Sequence, residues 1–202
     1  MPNTSPPITD PSSLETILNA AHGKAHCDYG IHVAGTSNNT STVSALSDKV
    51  SGLKLYLNDT FGDLRLDGLH IVNAHMSAWP DNRPVLCHAE TYMAAAVLML
   101  AVLHRRSVHI CHVSRKEEID LIRAAREQGL AVTCEVTPHH LFMTKSDIDS
   151  IKEGRYMVSP RLNTISDQNA LWQAIADGVV DCIATDHAPH TLLEKDLSLI
   201  HI

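Results

Sequence analysis

Short apolar runs that each end in a metal-binding or acid–base side chain recur along this sequence. The runs are PVLCHAE (84–90), SVHICHVS (107–114), AVTCEVTPHH (131–140) and DCIATDHAPH (181–190). Stretches of helical character separate them, so strand and helix alternate at intervals of about 25 residues, which predicts parallel strands joined by crossover helices. In a closed parallel barrel, functional residues collect at the C-terminal ends of strands, where these polar residues fall. The sequence therefore predicts a parallel α/β fold with its functional residues at the C-terminal ends of the strands.

The helices between the runs have recognisable ends. Residues 89–103 are rich in Ala, Leu and Met, and residues 116–128 carry apolar side chains at helical spacing before Gly129, a typical helix C-terminal glycine. Residues 167–177 form a third helical stretch, with Ser166 as the expected N-cap and Gly178 at the end.

Composition excludes several classes of protein. The net charge of -7 and the pI near 6.0 give no basic footprint for nucleic acid. The sequence has no apolar run long enough to span a membrane and no signal peptide at its start. Buried, reduced thiols are the expected state of the cysteines inside apolar runs, which favours a cytoplasmic protein. These cysteines are Cys87, Cys111, Cys134 and Cys182.

Histidine is unusually abundant, with 14 residues in a chain of 202. A single histidine is more often a surface or a satisfied core residue, and this interpretation is kept for His22, His70, His75 and His104. His88 and His112 differ because each ends an apolar strand, where a neutral imidazole is a good zinc ligand. Their positions on successive strands favour a shared metal site.

Lys54 lies between leucines in the run SGLKLYLN (51–58). A lysine at such a position can extend its ammonium to solvent. The alternative is that the Lys54 amine is chemically modified, because an amine in an apolar site loses its proton more readily and can then add carbon dioxide. The resulting carbamate is a bidentate anion able to bridge two metal ions. Histidines and an aspartate at neighbouring strand ends favour this second interpretation.

The motifs GLKLYLN, HAE, HICHVSRKEE, TCEVTPHHLF and ATDHAPHT resemble the dihydroorotase branch of the amidohydrolase superfamily. They are most similar to the dihydroorotase domain of multifunctional pyrimidine-synthesis proteins, from Met1 to about Lys195. The resemblance implies a TIM-like (β/α)8 metal-dependent hydrolase barrel in residues 1–195. It also implies neighbouring carbamoyl-phosphate synthetase and aspartate transcarbamoylase domains, and a homo-oligomer.

The resemblance further implies a centre with two Zn²⁺ ions and room for a third. Lys54 would be the carboxylated lysine that bridges the zincs, and Asp186 would bind zinc and act as the catalytic acid–base. The other implied metal ligands are His88, Cys111, His112 and Glu135. The implied substrate-binding residues are Asn3, Thr60, Phe61 and His190, with Thr60 and Phe61 in a loop that closes over the substrate.

The implied reaction is the reversible cyclisation of N-carbamoyl-L-aspartate to dihydroorotate in pyrimidine synthesis. One alternative is a catalytically inactive dihydroorotase-like domain with a structural role, although Lys54, His88, His112, Glu135 and Asp186 are all present. Another is a different cyclic amidohydrolase, such as a hydantoinase or an allantoinase. Asn3, the Thr60-Phe61 pair and HICHVSRKEE disfavour it.

The sequence departs from the family pattern in three places, of which the missing first-strand motif and the C-terminal tail suggest an incomplete barrel and Ser159 concerns substrate contacts. The His-x-His-x-Arg motif of the family's first strand does not occur, and Ser159 stands where relatives carry an arginine. The family's substrate loop after Lys195 is replaced by a short tail. Its end, LSLIHI, is what CTGTCTCTTATACACATC encodes, a transposase end sequence used in sequencing libraries. We therefore expect residues 196–202 to be a non-native tail and the 202-residue chain to be inactive by itself.

Overall fold

A computed structural model describes residues 1–60, 62–150, 156–191 and 193, with the side chains of 149 and 150 excepted. The chain divides into two compact units. The first contains Met1–Ile110 and Ala125–Val132, and the second contains Cys111–Ala124 and Thr133–Ile202. Residues 196–202, predicted to be a non-native tail, lie outside the described residues.

Four parallel strands form the sheet of the first unit, in the order in which they occur along the chain. They are β1 (His32–Ala34), β2 (Gly52–Tyr56), β3 (Val85–His88) and β4 (Val108–Ile110). All five residues of β2 are buried, as expected for a strand covered on both faces of a parallel sheet. The register places Lys54 between Ala34 and Leu86, and Tyr56 opposite His88.

The first helix of this unit precedes β1, and the others connect its strands. These helices are α1 (Pro11–Ala21), α2 (Thr40–Ser44), α3 (Leu69–Ala78) and α4 (Tyr92–His104). α1 begins where the Asp10 carboxylate accepts from the backbone N–H of Ser13, in a reciprocal capping box with Pro11 at the first helical position. α4 is apolar around its whole circumference and ends at Arg105, which adopts a left-handed conformation.

The second unit contains the pairing of β5 (Val132–Val136) with β6 (Cys182–Ile183), again parallel. Its helical elements are most of α5 (Lys116–Glu127), α6 (Pro138–Phe142) and α7 (Ile165–Ala176). The backbone N–H of Ala184 continues the ladder by donating to the carbonyl of Val136 over 3.0 Å.

The predicted alternation of strand and helix is confirmed for every run named above, including the glycine ends at Gly129 and Gly178, both at positive φ. The N-cap prediction for α7 is wrong. Thr164, not Ser166, caps this helix, because its hydroxyl accepts from the N–H of Asp167 while the Asp167 carboxylate accepts from the N–H of Thr164.

The prediction of buried cysteines holds for Cys87, Cys111 and Cys134 and is wrong for Cys182. In the described part of the chain β6 pairs with β5 alone, and both Cys182 and Ile183 are exposed. No helix among the described residues is long and apolar enough to cross a membrane.

Candidate metal centre

Lys54 in β2 is a buried residue. The residue is 6% exposed and lies between Leu53 and Leu55, both fully buried. Its Nζ lies 5.4 Å from the centre of the Tyr56 ring, and no hydrogen bond or ion pair joins it to any residue that the structure describes. An ammonium buried without a counter-ion is costly, whereas a lysine that becomes an anion and binds metal suits this position.

His88 ends the neighbouring strand β3. It lies opposite Tyr56 in the register, two residues after Lys54. Its imidazole is 2% exposed, and its ring centre lies 5.9 Å from that of Tyr56. Glu90 follows two residues later, with Oε1 3.4 Å from Nε2 of His88. The first unit thus places the His88 imidazole beside the Glu90 carboxylate at the end of β3, on the strand next to that of Lys54.

His112 and Glu135 are neighbours in the second unit. The backbone N–H of His112 donates to Oε1 of Glu135 over 3.3 Å, and the N–H of Val113 donates to the Glu135 carbonyl over 2.8 Å. Cys111 and His112 are both buried, while Glu135 is half-buried. These contacts join the backbone that follows β4 to the Glu135 side chain and to the backbone of β5.

Asp186 and His190 follow β6 in the same unit. Both residues are half-buried, and the backbone N–H of His187 donates to the hydroxyl of Thr185 over 3.3 Å.

The charges in this unit also act on Cys182, which lies opposite Glu135 in the register. Partial burial, followed by the negative charges of Glu135 and Asp181, raises the pKa of the Cys182 thiol.

Three residues that follow strand ends adopt left-handed backbone conformations. Their φ angles are 52° at Thr91, 38° at His112 and 47° at Asp186. For residues other than glycine this conformation is uncommon, and such strain is concentrated at functional sites. Two of the three, His112 and Asp186, are also residues that the sequence predicts as metal ligands.

The predicted substrate-binding residues are less closely defined. Asn3 and Thr60 are half-buried in the first unit, and no hydrogen bond joins either side chain to Lys54 or His88 among the described residues. Phe61 lies outside the described residues.

His140 shows that not every polar strand end is functional. Its Nδ1 lies 2.6 Å from the Thr137 hydroxyl and its Nε2 lies 3.1 Å from the Pro160 carbonyl oxygen, with 3% of the residue exposed. Both ring nitrogens are therefore engaged in the protein interior, and His140 is structural. Glu90, in contrast, was not predicted as a site residue, although its position two residues after His88 is a signal that could have identified it.

The residues present fit zinc. Imidazole nitrogens, a thiolate and carboxylates are the ligands that zinc prefers in proteins. Lys54 is buried and has no ionic partner among the described residues. A bridging carbamate on Lys54 would explain this burial.

Comparison with known sequences shows close relatives over nearly the whole chain. The chain is 47% identical over 196 residues to multifunctional protein CAD of Squalus acanthias, an alignment that covers 97% of this chain and 9% of that protein. It is 44% identical over 196 residues to multifunctional protein pyr1-3 of Dictyostelium discoideum, covering 96% and 9%. It is 31% identical over 231 residues to dihydroorotase of Latilactobacillus sakei subsp. sakei, covering 99% and 53%. No protein-family model matches the chain.

Solved structures give the same picture of the fold. The inactive dihydroorotase-like domain of a CAD-like multifunctional protein from Chaetomium thermophilum matches with a TM-score of 0.75 and 29% identity, over 88% of this chain and 49% of that one. L-hydantoinase from Arthrobacter aurescens matches with a TM-score of 0.87 over 97% and 51%; at 19% identity this likeness concerns the fold alone. The chain spans about a tenth of the multifunctional relatives and about half of the bacterial dihydroorotase.

Proposed function

Because dihydroorotases and CAD-type multifunctional proteins are homologous to this chain over nearly its whole length, we propose that it forms part of a zinc-dependent dihydroorotase. The reaction is the reversible cyclisation of N-carbamoyl-L-aspartate to dihydroorotate in pyrimidine synthesis. The observation that carries this proposal is the burial of Lys54 without an ionic partner on the strand next to His88. The fold is a TIM-like amidohydrolase barrel.

The proposed metal ligands are Lys54, as a carbamate, with His88, Cys111, His112, Glu135 and Asp186. Two zinc ions, with a third as an additional possibility at Glu135, would lower the pKa of an attacking water and polarise the ring amide of the substrate.

Asp186 moves the proton in the proposed reaction. Its carboxylate accepts a proton from the attacking water and delivers it to the ring nitrogen that leaves. Ring closure uses the same steps in reverse. His190, four residues further along the chain, and Asn3 bind the substrate carboxylate, and the loop with Thr60 and Phe61 excludes water and holds the flexible acyclic substrate for closure.

The test is turnover of dihydroorotate by the full-length product of the gene that contains this sequence. We expect Asp186→Asn to retain the fold and most of the zinc while losing at least about 10²-fold in rate, the usual contribution of a positioned acid–base. Asp120→Asn, at an exposed position on α5, is the matched control and should leave turnover unchanged. Near wild-type turnover of the Asp186 variant would remove Asp186 from the mechanism.

A second function, a structural domain without activity, is favoured by one observation. The Chaetomium thermophilum domain that this chain resembles at 29% identity is described as inactive. Absence of turnover in the full-length protein, with zinc bound and the fold intact, would establish this alternative.

The protein is also proposed to be a cytoplasmic homo-oligomer whose gene product carries carbamoyl-phosphate synthetase and aspartate transcarbamoylase domains. The outward side of α4 supports self-association, since Met99 is 61% exposed and Leu103 is 67% exposed in a helix with no charged residue. In analytical ultracentrifugation Leu103→Glu should give a smaller species, whereas Leu18→Glu on α1 should not; unchanged assembly of the Leu103 variant would exclude α4.

A further inference from the structure

Glu90 approaches the ring nitrogen of His88 in the interior of the first unit. Oε1 of Glu90 lies 3.4 Å from Nε2 of His88, and the two side chains are 20% and 2% exposed. The separation is slightly longer than an ordinary hydrogen bond, and such contacts tighten when a functional site is completed.

The backbone fixes Glu90 in this place. Its N–H donates to Oδ1 of Asn58 over 2.8 Å, which ties the turn after β3 to the end of β2. The N–H of Leu57 also donates to the carbonyl of His88 over 2.9 Å. Thr91, the next residue, has a φ of 52° and begins the turn into α4. The carboxylate is therefore held beside the imidazole by contacts on both sides of it.

A histidine that binds metal through one ring nitrogen generally donates the proton of the other to a carboxylate or a carbonyl, which sets its tautomer and its orientation. We propose that Glu90 is a positioning residue of this kind. It accepts the Nε2 proton of His88 and so leaves the Nδ1 lone pair for zinc. This inference rests on the proposed metal centre and deepens it.

The first experiment measures zinc affinity of the purified protein by competition with a chelating dye. Loss of an orienting carboxylate typically costs 10- to 100-fold in metal affinity, and we expect this loss in Glu90→Ala. Glu90→Gln keeps an oxygen that can accept the Nε2 proton and should retain most of the affinity. Glu117→Ala, at an exposed position on α5, is the control. An unchanged affinity in Glu90→Ala would overturn the proposal.

The glutamine variant separates positioning from direct ligation. An amide is a poor zinc ligand, so if Glu90 bound the metal itself, Glu90→Gln would lose as much affinity as Glu90→Ala. That outcome would also overturn the proposal.

The second experiment reads the tautomer directly. Long-range ¹H–¹⁵N spectra of the protein labelled at histidine, with the His88 signals assigned through His88→Gln, should show Nε2 protonated and Nδ1 bare. A proton on Nδ1 would contradict the proposal whatever the zinc affinity.

His88→Gln also separates failure of this inference from failure of the proposed function. If that variant binds zinc as tightly as the wild type, His88 is not a ligand and the metal centre is wrong. If it loses zinc while Glu90→Ala does not, the metal centre stands and only the role of Glu90 fails.

Discussion

The buried carboxylate of Glu118 accepts a hydrogen bond of 3.0 Å from the backbone N–H of Ser114. It accepts a second, of 3.1 Å, from Arg115, so one side chain satisfies two N–H groups at the start of α5. Asn163 completes this network by donating to both the carbonyl and the hydroxyl of Ser114. The segment that follows His112 is thereby fixed, which explains why HVSRKEE is needed around a proposed metal ligand.

We expect Glu118→Ala to lower the free energy of unfolding by about 1–3 kcal/mol, because it leaves buried N–H groups without an acceptor. Denaturant unfolding of the purified protein measures the loss. Glu117→Ala, one position away and exposed, should change stability by less than about 0.5 kcal/mol. Equal effects of the two substitutions would show that the network contributes nothing.

Arg106 should be a second strong determinant of stability. Its buried guanidinium donates to the carbonyl oxygens of Met76, Trp79 and Pro80 at the C-terminus of α3, and burial lowers its pKa. Arg106→Met removes all three donors, and we expect a loss of about 2–4 kcal/mol. Chemical denaturation measures this loss.

Arg83→Met is the control for Arg106. It removes an arginine that makes one ion pair, to an exposed Asp48, and should cost less than about 1 kcal/mol. A loss in Arg106→Met no larger than in this control would contradict the role assigned to the buried guanidinium.

His75 should make stability depend on pH. Burial lowers its pKa below the ordinary value of 6.5, partly offset by the Thr36 carbonyl, 2.8 Å from Nε2. The unfolded chain therefore binds a proton that the folded chain resists. Stability from this group is complete above pH 6.5 and falls as the pH drops from 6.5 toward the folded pKa, by at most about 1.4 kcal/mol per pH unit.

Urea unfolding between pH 8 and pH 5 should therefore show a shallower slope in His75→Gln than in the wild type. His70→Gln, at an exposed position on the same helix, should leave the slope as it is. A slope that His75→Gln does not reduce would show that other groups carry the pH dependence.

The sequence identified the strands well because each apolar run and its polar end are local features. His140 also follows an apolar run, and the sequence alone does not show what its ring contacts. His140 is structural because its ring contacts the carbonyl of Pro160, 20 residues away, a contact that only the fold creates. The exposure of Cys182 depends in the same way on strand pairing.

The left-handed conformations of His112 and Asp186 have no signal in the sequence either, because neither residue is a glycine. Only the three-dimensional structure of the strand ends reveals these conformations. The assignment of His112 and Asp186 as metal ligands stays a prediction from the sequence.

Replacing Lys54 by an apolar side chain should not destabilise the zinc-free protein. The residue is buried and its amine has no ion pair among the described residues, so Lys54→Met removes a charge without an ionic partner and keeps most of the volume. We expect a midpoint of urea unfolding equal to or above that of the wild type. A loss of more than about 2 kcal/mol would show that the amine is well solvated or paired, contrary to the site described above.

Lys54→Ala should instead reveal what the lysine does when zinc is present. If Lys54 becomes a carbamate, its removal takes away an anionic ligand, and the zinc content of the protein should fall. Short carboxylic acids added in excess can occupy the vacated volume and replace the carbamate, so they should restore part of the zinc and part of any activity. Lys116→Ala, which removes an exposed lysine, should bind zinc like the wild type and respond to no acid. Zinc stoichiometry that is the same in Lys54→Ala and in the wild type would refute carbamylation, because a bridging ligand cannot be lost without effect on the metals it holds.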